Sequence, residues 1–113
     1  MSLPAWIQHF PGAVTVCDRA GVILEMNDKS AQTFAKDGGA DLVGANLFDC
    51  HNLQSQAKIR ALLDSGQTNV YTVEKNGLKK LIYQSPWYDD EGRLGGLVEL
   101  SLEVPGDMPH FVR

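Results

Sequence analysis

Few side chains in this 113-residue sequence could do chemistry, and their spacing narrows what that chemistry is. Cys50 and His51 are neighbours in the stretch Cys50-His51-Asn52-Leu53-Gln54-Ser55. A thiol beside an imidazole suggests a nucleophile and its base. Consecutive residues seldom aim at one point, however, and no third group is placed to orient the histidine. His51 has two other roles open to it: contact with a metal through one ring nitrogen, or capping of the helix that starts there. Cys50 has the plainer role of a small buried hydrophobe. The second cysteine, Cys17, lies far upstream, so the pair makes neither a disulfide framework nor a four-ligand zinc site. His9 and His110 fall in terminal segments without an evident partner. Glu25, Glu99 and Glu103 sit among strand residues and are expected to be solvated, and no acid pair or His–Asp pair has a spacing suited to general acid–base work. Tyr83, Ser85 and Trp87 recur at alternate positions, which puts them on one face of a strand with Gln84 on the other. Together with Tyr71 they form either a pocket wall or part of a filled interior.

The elements that must position these residues follow from turn chemistry and periodicity. Leu3, Trp6, Ile7 and Phe10 follow helical spacing, with Ser2 as cap, Pro4 in the first turn and Pro11-Gly12 as the stop. A helix this short needs a surface to pack on, either its own domain or a second copy of the chain. Ala13 to Cys17 and Val22 to Met26 read as a hairpin across Asp18-Arg19-Ala20-Gly21. Asn27 or Asp28 caps a helix reaching Phe34 or Ala35, and short irregular or helical pieces occupy residues 40–50. Residues 52–65 form the clearest helix, with Ile59, Leu62 and Leu63 on one face and Ser65-Gly66 as its end. Three strands follow, Asn69 to Lys75, Leu78 to Tyr88 and Arg93 to Val104. Asn76-Gly77 joins the first two and Asp89-Asp90-Glu91-Gly92 the last two. In the final strand Val98, Leu100, Leu102 and Val104 alternate with Glu99, Ser101 and Glu103, which predicts an apolar face turned inward and a polar face in water. Pro86 lacks a ladder donor and points to an edge or a bulge. Two strands, several short helices and three strands make an α+β domain, with helices on one face of an antiparallel sheet.

Composition sets outer limits. Hydrophobic residues are 43% and charged residues 21% of the chain, the mixture of a single globular domain. The formal charge of −4 argues against direct nucleic-acid contact, which needs a cationic face. No apolar run is long enough to span a membrane and no signal peptide is visible, so a reduced, cytoplasmic setting without membrane contact is expected.

Three motifs carry a family resemblance. Pro11-Gly12-Ala13-Val14-Thr15-Val16-Cys17-Asp18, continuing through Gly21 to Asn27, is similar to the first hairpin of PAS domains. Gly44-Ala45-Asn46-Leu47-Phe48 resembles the step before their long helix. Asp90-Glu91-Gly92-Arg93-Leu94-Gly95-Gly96 resembles the turn that opens their last strand. The resemblance covers residues 11–104 and implies a five-stranded antiparallel sheet in the order 2-1-5-4-3, with a hollow between sheet and helices. It implies residues 1–10 as a flanking helix and 105–113 as a tail or linker. Photoactive flavin members carry a reactive Cys directly after an Asn. Here Asn46-Leu47-Phe48 takes that place, so a flavin adduct is not expected. Oxygen-sensing members ligate haem from within the long helix, near Ile59, which cannot ligate. A smaller subgroup has Cys-His-Pro-x-x-Ser at this step. The present segment resembles it with Asn52 in place of Pro, which makes His51 the candidate ligand of a bound haem.

The resemblance implies a sensory module rather than an enzyme, in bacterial signal transduction. Its cavity residues would be Cys50, His51, Tyr71, Tyr83, Ser85 and Trp87, and Leu3, Trp6, Ile7 and Phe10 would face a homodimer partner. The effector, fused or associated, would be a histidine kinase, a cyclase or a transcription regulator. The alternatives are a ligand-free interaction module with a filled interior and, more remotely, a small α+β enzyme.

Overall fold

The computed structural model describes residues 3–50 and 53–113, with the side chain of Cys50 outside the description. Helix α1 is Ala5–Gln8, followed by β1 (Ala13–Asp18), β2 (Ile23–Met26) and α2 (Asp28–Thr33). Three 3-10 turns, Ala35–Asp37, Gly39–Leu42 and Leu47–Cys50, lead to α3 (Leu53–Ser65). Strands β3 (Asn69–Lys75), β4 (Leu78–Tyr88) and β5 (Leu94–Val104) complete the chain's regular structure. The five strands form one antiparallel sheet in the order β2-β1-β5-β4-β3, as the resemblance implies.

Local chemistry explains the connections. Asn76 and Gly77 both have positive φ, 53° and 78°, and join Lys75 to its register partner Leu78 in a two-residue turn whose twist matches the strands. At the next turn the Asp89 carboxylate accepts from the backbone N–H groups of Glu91 and Arg93, both at 2.9 Å. Asn27 caps α2 by accepting from the Ser30 N–H at 3.0 Å. Residues 44–47 run along the free edge of β2: Gly44 N–H donates to the Ile23 carbonyl at 2.8 Å, and the Ile23 N–H donates to Ala45 at 2.9 Å. Pairing of this kind hides an edge that would otherwise be open to another chain.

Pro86 sits in β4, a strand with neighbours on both sides, yet the conflict is resolved by strand length. β3 pairs with β4 only as far as Asn69 opposite Gln84, so at Pro86 the neighbour is β5 alone and no β3 ladder bond is missing. Gly95 and Gly96 open β5 because nothing larger fits there. A Cβ at Gly95 would fall on the Trp87 ring, and one at Gly96 on the Cys17 carbonyl. The Trp87 Nε1–H donates to that same carbonyl at 2.9 Å.

The core gathers Cys17 and Leu97 from the sheet, Phe48 from the third 3-10 turn, and Ile59, Leu62 and Leu63 from α3. The face of α3 expected to be buried is the buried face. Two sheet expectations are reversed. In β5 it is Leu97 and the polar Glu99 and Ser101 that face the helices, while Val98 borders a groove on the opposite side of the sheet. In β4 the inward residues are Ile82 and Gln84, 9% and 8% exposed, and Tyr83 is 39% exposed on the outer face. Alternation reveals which residues share a face. It does not reveal which face meets the helices, and here the face that carries Glu99 and Ser101 does so.

The first helix is shorter than its spacing predicts. Pro4 occupies the cap position without a side-chain cap bond, and Ser2 lies outside the described residues. Its apolar residues also divide: Leu3 and Ile7 are half-buried against the domain, whereas Trp6 is 74% and Phe10 39% exposed.

Candidate functional site

A hollow of about 420 Å3 lies between the inner face of the sheet and the helical segments. Cys17, Ile23 and Leu97 line it from the sheet, and Phe34, Leu42, Leu47 and Ile59 from the opposite side. Its volume is at the small end of the roughly 300–1,000 Å3 typical of small-molecule sites. The hollow meets solvent beside β3, where the lining residues Thr33, Asp37, Tyr71, Val73 and Lys75 are all exposed.

One rung of the sheet gives the hollow its polar character. Pairing aligns Asn69, Gln84, Glu99, Thr15 and Met26 across all five strands. Gln84 Nε2 donates to Glu99 Oε2 at 2.7 Å, and Asn69 Nδ2 donates to Gln84 Oε1 at 2.9 Å. The direction is forced: a carboxylate only accepts, so the amide nitrogen of Gln84 must face Glu99. The Thr15 hydroxyl is 2.5 Å from the Ser30 hydroxyl on α2. Burial pushes the Cys17 thiol above its ordinary pKa, the Leu97 backbone hydrogen bond works the other way, and the charges of Asp18 and Glu99 add to the rise. Tyr71 is raised too, first by partial burial and then by the charge of Glu99.

A second set of bonds ties the flanking helix to this wall. Asn27 is fully buried. Its Oδ1 accepts from Val14 and Ser30, and its Nδ2 donates to the carbonyls of Ile7 and Gly12, both at 2.9 Å. The chain of contacts therefore runs from Thr15 in the hollow through Ser30 and Asn27 to Ile7 in α1. On the surface beside it, Gln8 Nε2 and His9 Nδ1 meet the Asp28 carboxylate at 2.6 and 2.8 Å. The Gln8 hydrogen bond chiefly, and then that of His9, holds this carboxyl below its ordinary range.

Of the residues expected at the cavity, Tyr71 lines it. Tyr83, Ser85 and Trp87 do not; strand parity places them on the outer face, where Trp87 borders the separate groove with Val16, Leu24, Glu25 and Val98. The side chain of Cys50 and the whole of His51 lie outside the described residues. Sequence reading missed Gln84, Glu99 and Thr15. A glutamine among apolar strand residues was one available signal, but its link to Glu99 depends on strand register. Among the described lining residues there is no imidazole; Met26 and Tyr71 are of residue types that can ligate haem iron, and burial raises the pKa of the Cys17 thiol. Among the described residues no cluster of three His, Cys, Asp or Glu could hold a metal ion.

A five-stranded antiparallel 2-1-5-4-3 sheet with a hollow roofed by short helices is the fold that the resemblance implies. The family described as PAS fold matches residues 7–105, and the chain belongs to that family. No curated protein matches the sequence. Among solved structures the chain is similar to the VqmA dimer of Vibrio cholerae, described as a LuxR-type receptor, with 14% identity and a TM-score of 0.70 over 89% of this chain and 49% of that one. It is also similar to a sensory box sensor histidine kinase from Vibrio cholerae, with 14% identity and a TM-score of 0.65 over 88% and 86%. A third match is the Aer2 receptor from Vibrio cholerae, a dual PAS-heme oxygen sensor, with 16% identity and a TM-score of 0.61 over 83% and 95%. At these identities the likeness is one of fold, and the chain spans about half the length of VqmA. Among the described residues no helix is long and apolar enough to cross a membrane.

Proposed function

We propose that this chain is the sensory module of a bacterial signalling protein, working in the cytoplasm and without catalysis of its own. A small ligand or cofactor occupies the hollow and shifts the population between two placements of α1. The shift passes to a homodimer partner or to an effector, a histidine kinase, cyclase or transcription regulator. The observation that carries this reading is the unbroken path from the hollow at Thr15, through Ser30 and Asn27, to Ile7. A ligand moves such an equilibrium only by as much as its affinity for the two placements differs. Half-buried Leu3 and Ile7 keep α1 on its own domain, while Trp6 and Phe10 are free to meet a second copy across a two-fold axis. On this reading residues 1–10 and 105–113 connect residues 11–104 to the rest of the signalling assembly. VqmA, solved bound to DPO, and Aer2, a haem sensor, support a ligand or cofactor as the input.

Native mass spectrometry, an absorption spectrum and sedimentation of the purified chain test the proposal. Added mass, or a haem band that disappears in His51→Ala, is the expected result for a module carrying its ligand. A dimer that persists when Trp6 and Phe10 are both changed to Ala refutes the role given to α1. A colourless dimer with no added mass, whose hollow takes up no small molecule, favours the second reading, a ligand-free interaction module. The feature behind that reading is the outer sheet surface, where Val70, Tyr83 and Leu24 are 49%, 39% and 41% exposed.

A further inference from the structure

We infer that the hollow selects a small organic molecule with an apolar body and an N–H donor, such as an amine, an amidine or an N–H heterocycle, and that Glu99 reads the donor. The inference rests on the ligand-binding reading above and adds the chemistry of the ligand. Glu99 stands on the inner face of β5, half-buried, with Oε2 already accepting from Gln84. Gln84 is itself held by Asn69, so the carboxylate is fixed in place before any ligand arrives. Oε1 accepts from no described group. No buried side-chain oxygen or nitrogen among the described residues lacks a partner, so Oε1 is open to the hollow rather than sealed. A carboxylate oxygen only accepts, and its natural complement is a donor, best a charged one.

The neighbours sharpen the choice. The Thr15 hydroxyl, opposite Glu99 in register, is engaged with Ser30. Ile82 and Leu97, next to this rung, are apolar and buried and offer a surface for the body of the molecule. Lys80 and Lys75, which could attract an anion, both lie toward the Asn76-Gly77 turn, Lys80 two same-face positions along β4 from Gln84 and Lys75 at the end of β3. The polar atom open to the hollow at this rung is therefore an acceptor, and both lining lysines stand away from it, toward the β3–β4 hairpin.

The test is a heteronuclear NMR titration of the chain with three probes that share one ring: benzamidine, benzoate and toluene. Benzamidine is expected to bind at least about tenfold more tightly than toluene, because hydrogen bonds between charged groups are roughly twice as strong as neutral ones. Shifts should centre on Ile82, Leu97 and Glu99. In Glu99→Gln the amide oxygen keeps the Gln84 bond and the amide N–H2 turns to the hollow, so the benzamidine preference should disappear and benzoate should gain. Equal binding of benzamidine and toluene overturns the inference, as does tighter binding of benzoate to the unaltered chain. Either result leaves a hollow that binds ligands. If none of the three moves cavity resonances, the ligand-binding reading fails, and this inference with it. Should Glu99→Gln lose its fold, judged by circular dichroism, the probe series on the unaltered chain decides alone.

Discussion

Replacing Asn27 by Ala should be among the most costly single changes outside the apolar core. The side chain makes four hydrogen bonds with no exposure to water. Loss of the α2 cap at Ser30 costs about 1 kcal/mol. Leaving the buried Val14 N–H and Gly12 carbonyl without partners costs about 1–3 kcal/mol each. The sum, roughly 3–7 kcal/mol, is a large share of the ~5–15 kcal/mol that holds a domain folded. For a chain of this size it corresponds to a melting temperature lower by on the order of 10–30 °C. Urea titration followed by circular dichroism gives the free energy directly. Asn27→Asp separates two parts of the effect. Its Oδ1 retains the cap and the Val14 bond, but the second oxygen faces the carbonyls of Ile7 and Gly12, where a donor is needed. It should free α1 while α2 stays capped, with faster amide exchange in residues 5–9 and little change at Ser30. A cost below about 1 kcal/mol for Asn27→Ala would mean that water replaces all four bonds, and the mechanical link from hollow to flanking helix would be refuted.

Three further outcomes follow from the same geometry. Gly96→Ala should destabilise by several kcal/mol, on the order of 3 or more, because its methyl would overlap the Cys17 carbonyl and part β1 from β5; a melting curve like that of the unaltered protein would contradict that packing. The Asp28 carboxyl has a lowered pKa in the folded state, so its contribution is full above the ordinary carboxylate range and is lost only as pH falls through the lowered value. Acid titration of Asp28 by NMR should find its midpoint below that of the same residue in Gln8→Ala, and coincident midpoints would remove Gln8 as the cause. Cys17, buried and with a raised pKa, should resist iodoacetamide in the folded protein near neutral pH and react in urea, as read by peptide mapping; its linkage lowers stability as pH rises from the ordinary thiol value toward the raised one.

How much was legible in the sequence depends on how local the controlling physics is. The Asn76-Gly77 turn, the Asp89 turn and the Asn27 cap are decided within a few residues, and each stands where the sequence places it. The order of strands came with the family resemblance. The direction of each face did not come from either source. Val98, Leu100 and Leu102 look like interior residues because they alternate with acids, yet the acid Glu99 is what faces the hollow. That outcome depends on Leu97 packing against Cys17 and α3, contacts between residues far apart in the chain. The same holds for Tyr83, Ser85 and Trp87, whose shared face was right and whose side of the sheet was not. Asn27 was legible as a cap through its Oδ1, but its amide reaches Ile7 and Gly12, and no local pattern encodes that.

The polar rung also bears on whether the interior is filled or hollow. A sheet face meant only as core would carry apolar residues at every inward position, since an amide or a carboxylate there must be desolvated and then satisfied. Here Gln84 and Glu99 stand side by side in mid-sheet on the face that lines the hollow, Gln84 buried and Glu99 half-buried. The roof is built from a six-residue helix and three 3-10 turns, and α3 packs its buried face on Cys17, Phe48 and Leu97. Strand β3 is left with its inward residues Tyr71, Val73 and Lys75 exposed. A carboxylate with one oxygen satisfied from within and the other turned to an open hollow is stable when water or a donor ligand completes it. The arrangement is therefore costly as a packing solution and economical as a binding one, and filling the hollow should be most stabilising for molecules that donate to Glu99.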